Sequence, residues 1–267
     1  MISLHQRLHI AEAIARRAGD ALCEARLHGG FSAHLKRGEE LVTDVDVALD
    51  TLISGALTEM FPHEARPTEE LAPDALPRAT LEGPLWIVDP IDGTVNFAHG
   101  HAHVAVSIAW SNQGRPHIGV VHAPFLNETF TAIRGEGAWC NGHPIRCREI
   151  TQLDEALIAT GFAYDRSVRP QQLAQAGRVL MQCRDLRRNG AAALDLCHVA
   201  NGRLDGYFES ASPWDMAAGS LIAEEAGATF SNYGPVPETV PDALYSRDML
   251  VCVPALQPAL TALLATP

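Results

Sequence analysis

The segment Trp86-Ile87-Val88-Asp89-Pro90-Ile91-Asp92-Gly93-Thr94-Val95-Asn96-Phe97 places two carboxylates and a hydroxyl within six residues of one another, directly after an apolar run. Carboxylates that close repel unless something neutralises them. A hard cation does so, and magnesium takes oxygen ligands, usually a few carboxylates, while keeping waters for a substrate. Pro90 and Gly93 would shape the turn so that Asp89, Asp92 and a backbone carbonyl between them converge. Three other acids are candidates with plainer readings beside them. Asp215, in Ser212-Pro213-Trp214-Asp215, suits the third position of a capped helix, and Asp46 suits a capping box with Thr43. Glu69-Glu70, after Pro67-Thr68, reads alone as a solvated acidic corner. Asp-Pro-x-Asp-Gly is itself also the composition of a surface turn.

The elements that must position these residues are legible from periodicity. Leu8, Ala11, Ile14, Ala15, Ala18, Leu22 and Ala25 recur at helical spacing and stop before Gly29-Gly30. A second helix is expected from about Thr43 to Met60, stopped by Phe61-Pro62. Leu85–Val88 reads as a buried strand ending at Asp89-Pro90. Strands near His103–Trp110, His117–His122 and Thr129–Arg134 follow with short connections, which predicts an antiparallel meander. From Glu155 onward strands and helices alternate: strands near Ala156–Thr160 and Leu204–Glu209, helices near Pro170–Gln182 and Ala191–Ala200, and a helix opened by Ser212-Pro213 and closed at Gly227. The expectation is an α/β (α+β) fold of 267 residues in a single domain, with lobes of approximately 1–150 and 151–267 sharing one core.

Composition narrows the function. Hydrophobic residues make up 47% of the chain, enough for a sizeable core. The net charge of −12 is the wrong sign for tracking a phosphate backbone, so nucleic acid is not expected as a main partner. The same acidity opposes anionic small molecules unless a bound metal supplies local positive charge. Six cysteines without a C-x-x-C pair read as reduced thiols. With no run of roughly 18 apolar residues and no leader-like amino terminus, neither a membrane span nor export is expected, and a cytoplasmic location follows. His99, His101 and His103 alternate and could share a strand face as zinc or nickel ligands, but no cysteine or carboxylate is spaced to complete the set. Gly135-Glu136-Gly137 is only a fragment of a nucleotide-type glycine loop.

Asp89-Pro90-Ile91-Asp92-Gly93-Thr94-Val95-Asn96-Phe97 resembles the first signature of the inositol monophosphatase family, and Trp214-Asp215-Met216-Ala217-Ala218-Gly219 resembles its second. The likeness continues through His103–Ile108, Gly119-Val120-Val121, Gly135–Ala138 and Asn141-Gly142, covering about residues 35 to 230. The resemblance implies a layered α-β-α-β-α sandwich of the inositol monophosphatase and fructose-1,6-bisphosphatase type, a homodimer, and lithium sensitivity. It implies two or three Mg2+ ions held by Glu69, Asp89, the carbonyl of Ile91, Asp92 and Asp215, with Thr94 and Asp46 as the water-activating pair and Glu69 as a further catalytic group. Substrate contacts fall by the same resemblance on Asp92, Gly93, Thr94, Gly190, Ala192, Glu209 and Asp215. The implied reaction is hydrolysis of a small phosphate monoester of a polyol, led by myo-inositol 1-phosphate. Histidinol phosphate, adenosine 3′,5′-bisphosphate and sugar bisphosphates are the alternatives. A regulatory binding protein of the transcription machinery and a non-enzymatic metal-binding protein are the readings from other classes. Thr68 stands where the family usually has glycine, so Glu69 is chosen over Glu70 by position. Ala191 lacks the hydroxyl often found there, and the interval from Glu209 to Asp215 is one residue short of the common form.

Overall fold

A computed structural model describes residues 2–29, 31–36, 40–70 and 77–266. Helix α1 (Leu4–His28) opens on a Ser3/Gln6 capping box, and the hairpin β1 (Ala33–Lys36) and β2 (Glu40–Thr43) leads into α2 (Asp44–Met60). A short α3 (Arg78–Glu82) precedes β3 (Leu85–Asp92), and α4 (Thr94–Ala98) separates it from β4 (Ala105–Asn112). Strands β5 (Arg115–Ala123), β6 (Glu128–Ile133), β7 (Ala138–Cys140) and β8 (His143–Ile145) complete a six-stranded antiparallel meander in sequence order. The second half holds β9 (Leu157–Thr160), α5 (Arg169–Leu180), β10 (Asp185–Arg187), α6 (Ala192–Ala200), β11 (Gly206–Glu209), α7 (Pro213–Glu225), β12 (Thr229–Asn232), β13 (Met249–Cys252) and α8 (Gln257–Ala265). Its strands form a mixed sheet in the order β10-β9-β11-β13-β12.

Three apolar layers account for the sandwich, and strand alternation sorts residues among them. Trp86, Val88, Val106, Ile108, Ile118 and Val120 face Ile14, Ala18, Leu22, Leu49 and Ile53 of α1 and α2. Their neighbours Leu85, Ile87, Ala105, Ala109 and Val121 face the opposite way, onto α6 and α7. Across that helix pair the same core takes in Ala159, Tyr207, Met249 and Val251 of the five-stranded sheet. Ile158, Phe208, Leu250 and Cys252 on its far face pack on Ala176 and Val179 of α5 and Leu260 and Leu264 of α8. The architecture is therefore helices, sheet, helices, sheet, helices. Helix α7 is buried continuously from Met216 to Ala223, as a helix covered on both sides by sheets must be. Its small residues let β5 come close: a side-chain carbon on Gly119 would lie 2.7 Å from the Ala218 carbonyl oxygen.

Several boundaries differ from the sequence expectation. β3 continues past Val88 to Asp92, with a register shift between Asp89 and Asp92 that re-aims both side chains. β4 begins at Ala105, so His99, His101 and His103 lie before the strand and share no strand face. The hairpin β7–β8, the strands β10, β12 and β13, and α8 were outside the elements expected. Three-residue strands are too short to show alternation. The Asn141-Gly142 turn between β7 and β8, with φ of 50° and 75°, is nonetheless a strong two-residue hairpin signal. Among the described residues no helix is long and apolar enough to cross a membrane.

Candidate metal and phosphate site

The site is assembled where the bulged end of β3 meets the first turns of α4, α6 and α7. Asp89 and Asp92 are buried, Asp215 is half-buried, and one carboxylate oxygen of each lies within 4.8 Å of the others. Asp89 Oδ1 accepts the Ile91 N–H at 2.9 Å, which fixes the turn. Asp92 receives the N–H groups of Ala192 (2.9 Å) and Leu194 (3.2 Å), so it caps α6 from a strand a hundred residues earlier. Asp215 Oδ2 accepts the Ser212 N–H at 2.7 Å in the capping box of α7, the local role its sequence context suggested. All three carboxylates are thus pinned by backbone amides with oxygens still facing one another.

This crowding is costly. Burial first, then the charges of Asp92 and Asp215, push the Asp89 carboxyl well above the usual carboxylate range, partly offset by a hydrogen bond with Glu69. Asp92 is likewise driven well up by burial and then by Asp215, against the pull of the α6 amides. An all-oxygen set of this kind suits a hard divalent cation, whose charge removes the repulsion. Glu69 and the Ile91 carbonyl supply further oxygens at the same place. The segment carrying Glu69 runs beside β3 through parallel bridges at Ala65/Leu85 and Thr68/Val88, and the Glu69 N–H donates to Val88 O at 3.2 Å. Glu69, the acid chosen by position over Glu70, lines the cleft. Thr68, where glycine was expected, is completely buried in that register.

Thr94 and Asp46 meet across 48 residues of chain. Thr94 Oγ1 is 3.0 Å from Asp46 Oδ1 and 3.1 Å from the Ile91 carbonyl oxygen. Asp46 Oδ2 is meanwhile held by the Thr43 N–H (2.8 Å) and hydroxyl (2.5 Å). One oxygen of Asp46 therefore caps α2 and the other accepts from Thr94. Burial raises its pKa, against the hydrogen bonds from Thr43 and Thr94. Gly93 adopts φ +92°, and a side-chain carbon there would lie 3.0 Å from His103 O and 3.1 Å from Gly190 O. Only glycine fits the approach of the two loops.

A cleft of about 580 Å³ opens from these acids and is lined by Gly190, Ala192, Glu209 and Tyr207, among others. Glu209 is half-buried and accepts the Tyr207 hydroxyl hydrogen bond. Burial, the hydrogen bond from Tyr207 lowering against it, and Asp215 together leave its carboxyl raised to about 7. The structure thus brings every sequence-assigned site residue to one cleft or, for Asp46, into contact with a residue of it.

Two positioning residues had been given no role. Asn96 Nδ2 donates to His103 O (2.8 Å) and Asn189 O (2.7 Å), tying the loop after α4 to the loop before Gly190. Arg26, near the end of α1, donates to Phe97 O (3.1 Å) and His101 O (2.9 Å) and stacks 3.6 Å from the Phe125 ring centroid. Asn96 lies inside the first motif and could have been suspected. Arg26 carries no local signal, because its contacts lie more than seventy residues away.

Comparison with known proteins places the chain and its fold. The model of the inositol monophosphatase family matches residues 3–266. A Pasteurella multocida protein named Nus factor SuhB is 38% identical over 237 residues, covering 86% of each chain. Inositol monophosphatase 2 of Solanum lycopersicum is 40% identical over 84% of this chain and 86% of its own. The solved structure of a Thermotoga maritima IMPase superposes with a TM-score of 0.83 at 30% identity, covering 97% of this chain and 96% of that one. The fold and site define a phosphatase-type sandwich. The chain belongs to the inositol monophosphatase family.

Proposed function

We propose that this protein hydrolyses small phosphate monoesters with Mg2+, and that Asp89, Asp92, Asp215, Glu69 and the Ile91 carbonyl hold the metal, two or three ions in all. The observation that carries the reading is the pairing of a crowded carboxylate cluster with the Thr94–Asp46 contact at one end of a cleft. Magnesium, when bound, supplies the positive charge that an acidic protein needs to accept phosphate and that favours ionisation of water. Asp46 takes the Thr94 proton in a hydrogen bond, which leaves the Thr94 lone pairs to orient an attacking water. Asp215 and Asp92 sit at the first turns of α7 and α6, where backbone amides favour anionic oxygens. Gly190 and Ala192 form the wall that faces the alcohol. Glu209, with its carboxyl near 7, can accept or donate a hydrogen bond to a substrate hydroxyl.

Myo-inositol 1-phosphate is the leading substrate, supported by the similarity to a protein named inositol monophosphatase 2. Histidinol phosphate, adenosine 3′,5′-bisphosphate and sugar bisphosphates are the competitors. A cytoplasmic homodimer inhibited by lithium completes the reading. Phosphate release from these esters, with and without magnesium, tests it. Thr94→Ala is expected to lower turnover by about 10²-fold or more while magnesium affinity is kept. Loss of neither turnover nor affinity would remove Thr94 from the mechanism, and absence of hydrolysis of every ester in the folded protein would remove the enzyme reading.

The name Nus factor SuhB, borne by a 38% identical relative, supports a second role as a regulatory partner of the transcription machinery. Capture of transcription proteins by the Asp89→Asn variant as well as by the unaltered chain would separate that role from hydrolysis. Capture by neither would end it.

A further inference from the structure

We propose that His103, Asp195 and His198 form a second metal site, selective for a zinc-class ion and separate from the carboxylate cluster in the cleft. A ring nitrogen of each histidine and a carboxylate oxygen of Asp195 all lie within 4.8 Å of one another. Sequence alone does not show this set. Asp195 and His198 stand three residues apart on α6, hence on one helix face, while His103 arrives from the loop ahead of β4. Of the three alternating histidines that suggested a zinc or nickel strand, only His103 takes part. Its missing partners come from a helix ninety residues later.

The donor chemistry separates the two clusters. Two imidazoles and one carboxylate suit zinc, cobalt and nickel, whereas magnesium prefers an all-oxygen set. His103 Nε2 and Asp195 Oδ1 stand 3.0 Å apart, near the spacing of about 3.3 Å between neighbouring ligands of a tetrahedral zinc. The two imidazole rings meet edge to face with centroids 5.3 Å apart. Asp195 is 1% exposed at its side chain, His198 12% and His103 19%, so the group is sheltered but reachable from the His103 side. Arg203 Nη1 is hydrogen-bonded to His198 Nε2 at 3.2 Å while both its terminal nitrogens also hold Glu128, so an ion on that ring nitrogen would displace the Arg203 contact and leave Arg203 on Glu128. Burial first, then His103, lowers the His198 pKa to about 4, which favours the neutral imidazole a metal ligand requires.

Occupation has a structural consequence. Asp195 Oδ1 also accepts from Asn189 Nδ2 at 2.7 Å, and the Asn189 carbonyl is the one held by Asn96. An ion that takes Oδ1 competes with Asn189 and loosens the loop ahead of Gly190. The site would therefore link zinc-class ions to the alcohol side of the cleft without touching Asp89, Asp92 or Asp215.

Cobalt(II) added to the full chain in saturating magnesium is the direct test, read by its visible absorption and by equilibrium binding. One tightly bound cobalt per chain is expected, retained in Asp89→Asn and weakened about 100-fold or more in His103→Gln and in His198→Gln. Because His198 is packed against Phe130 and its variant could unfold, the less buried His103 gives an independent arm. Proton NMR of the unaltered chain needs no variant: cobalt should shift two of the 12 histidine spectra strongly. Failure to bind cobalt above magnesium, loss of binding in Asp89→Asn with retention in both histidine variants, or undisturbed histidine signals would each overturn the site. None of these outcomes bears on the hydrolysis proposed above, which Thr94→Ala tests.

Discussion

The protein buries acids in two ways, and the contrast separates structure from function. At Glu64 the chain provides everything the carboxylate needs. Arg7 donates to both oxygens at 2.8 and 2.6 Å, the Trp110 indole adds a third bond at 2.9 Å, and the guanidinium stacks on the rings of Trp110 and Phe61. At Asp89, Asp92 and Asp215 backbone amides hold the carboxylates, and one oxygen of each lies within 4.8 Å of the others, acid against acid. The first arrangement is complete without a ligand and ties α1 to the segment entering β3. The second leaves a free-energy deficit that a divalent cation would offset, and it lines a cleft. A buried acid with a full set of protein partners is a structural device. One whose neighbours are other acids points to a bound cation.

The sharpest way to break this contrast is to neutralise one member of each group. Asp89→Asn is expected to reduce phosphate release by about 10³-fold, while the melting temperature of the metal-free protein holds or rises because a repulsion is removed. A variant that stays active would place the metal elsewhere. Glu64→Gln should do the opposite: turnover at low temperature is kept, and chemical denaturation shows a loss of about 3 kcal/mol because the half-buried Arg7 loses its counter-charge. Loss of activity in a fully folded Glu64→Gln would undo the division between the two groups.

Metal linkage gives an effect of similar size. Asp89 and Asp92 have folded-state pKa values above their unfolded ones, so the folded protein holds more protons in that range and its stability falls as pH rises through it. In magnesium at one hundred times its dissociation constant, a gain of about 2.7 kcal/mol is expected at neutral pH. Thermal melts across pH, with chelator or with magnesium, measure both slopes, and identical curves would contradict a metal-neutralised cluster. The smallest effect belongs to Glu209. With a carboxyl near 7, it should impose a pH dependence on KM between about pH 6 and 8 that Glu209→Gln abolishes, at a cost of about 1 kcal/mol in substrate binding and little in kcat. An unchanged KM profile would take Glu209 out of substrate recognition.

Legibility followed the range of the interactions. The Ser212–Asp215 and Thr43–Asp46 caps were readable because their partners are three residues apart, and the meander was readable because its turns are short. The bulge that carries β3 on to Asp92 was hidden, since a shift in register shows only against the neighbouring strand. The five-stranded sheet was only half visible: β10, β12 and β13 are brief, and their pairing is set by helices packed on both faces. The alternating histidines, set aside because no further ligand was spaced to join them, show the same limit. Their period matches a strand, but the chain there is a loop before β4, and only His103 finds further ligands.

The sequence by itself determined which residue types were available and where: a doublet of acids after an apolar run, glycines where φ must be positive, caps that start α2 and α7, and the two motifs that mark the family. These are local properties, governed by propensity, sterics and short-range hydrogen bonds. Only the tertiary structure decided that Asp92 would cap α6, that Asp46 would hold Thr94 as well as its own helix, that Arg26 would brace the loop beyond Phe97, and that His103 would meet Asp195 and His198. Each of those contacts closes tens of residues of chain. It forms because packed sheets and helices have already spent the entropy of bringing the segments together, and no local pattern records that.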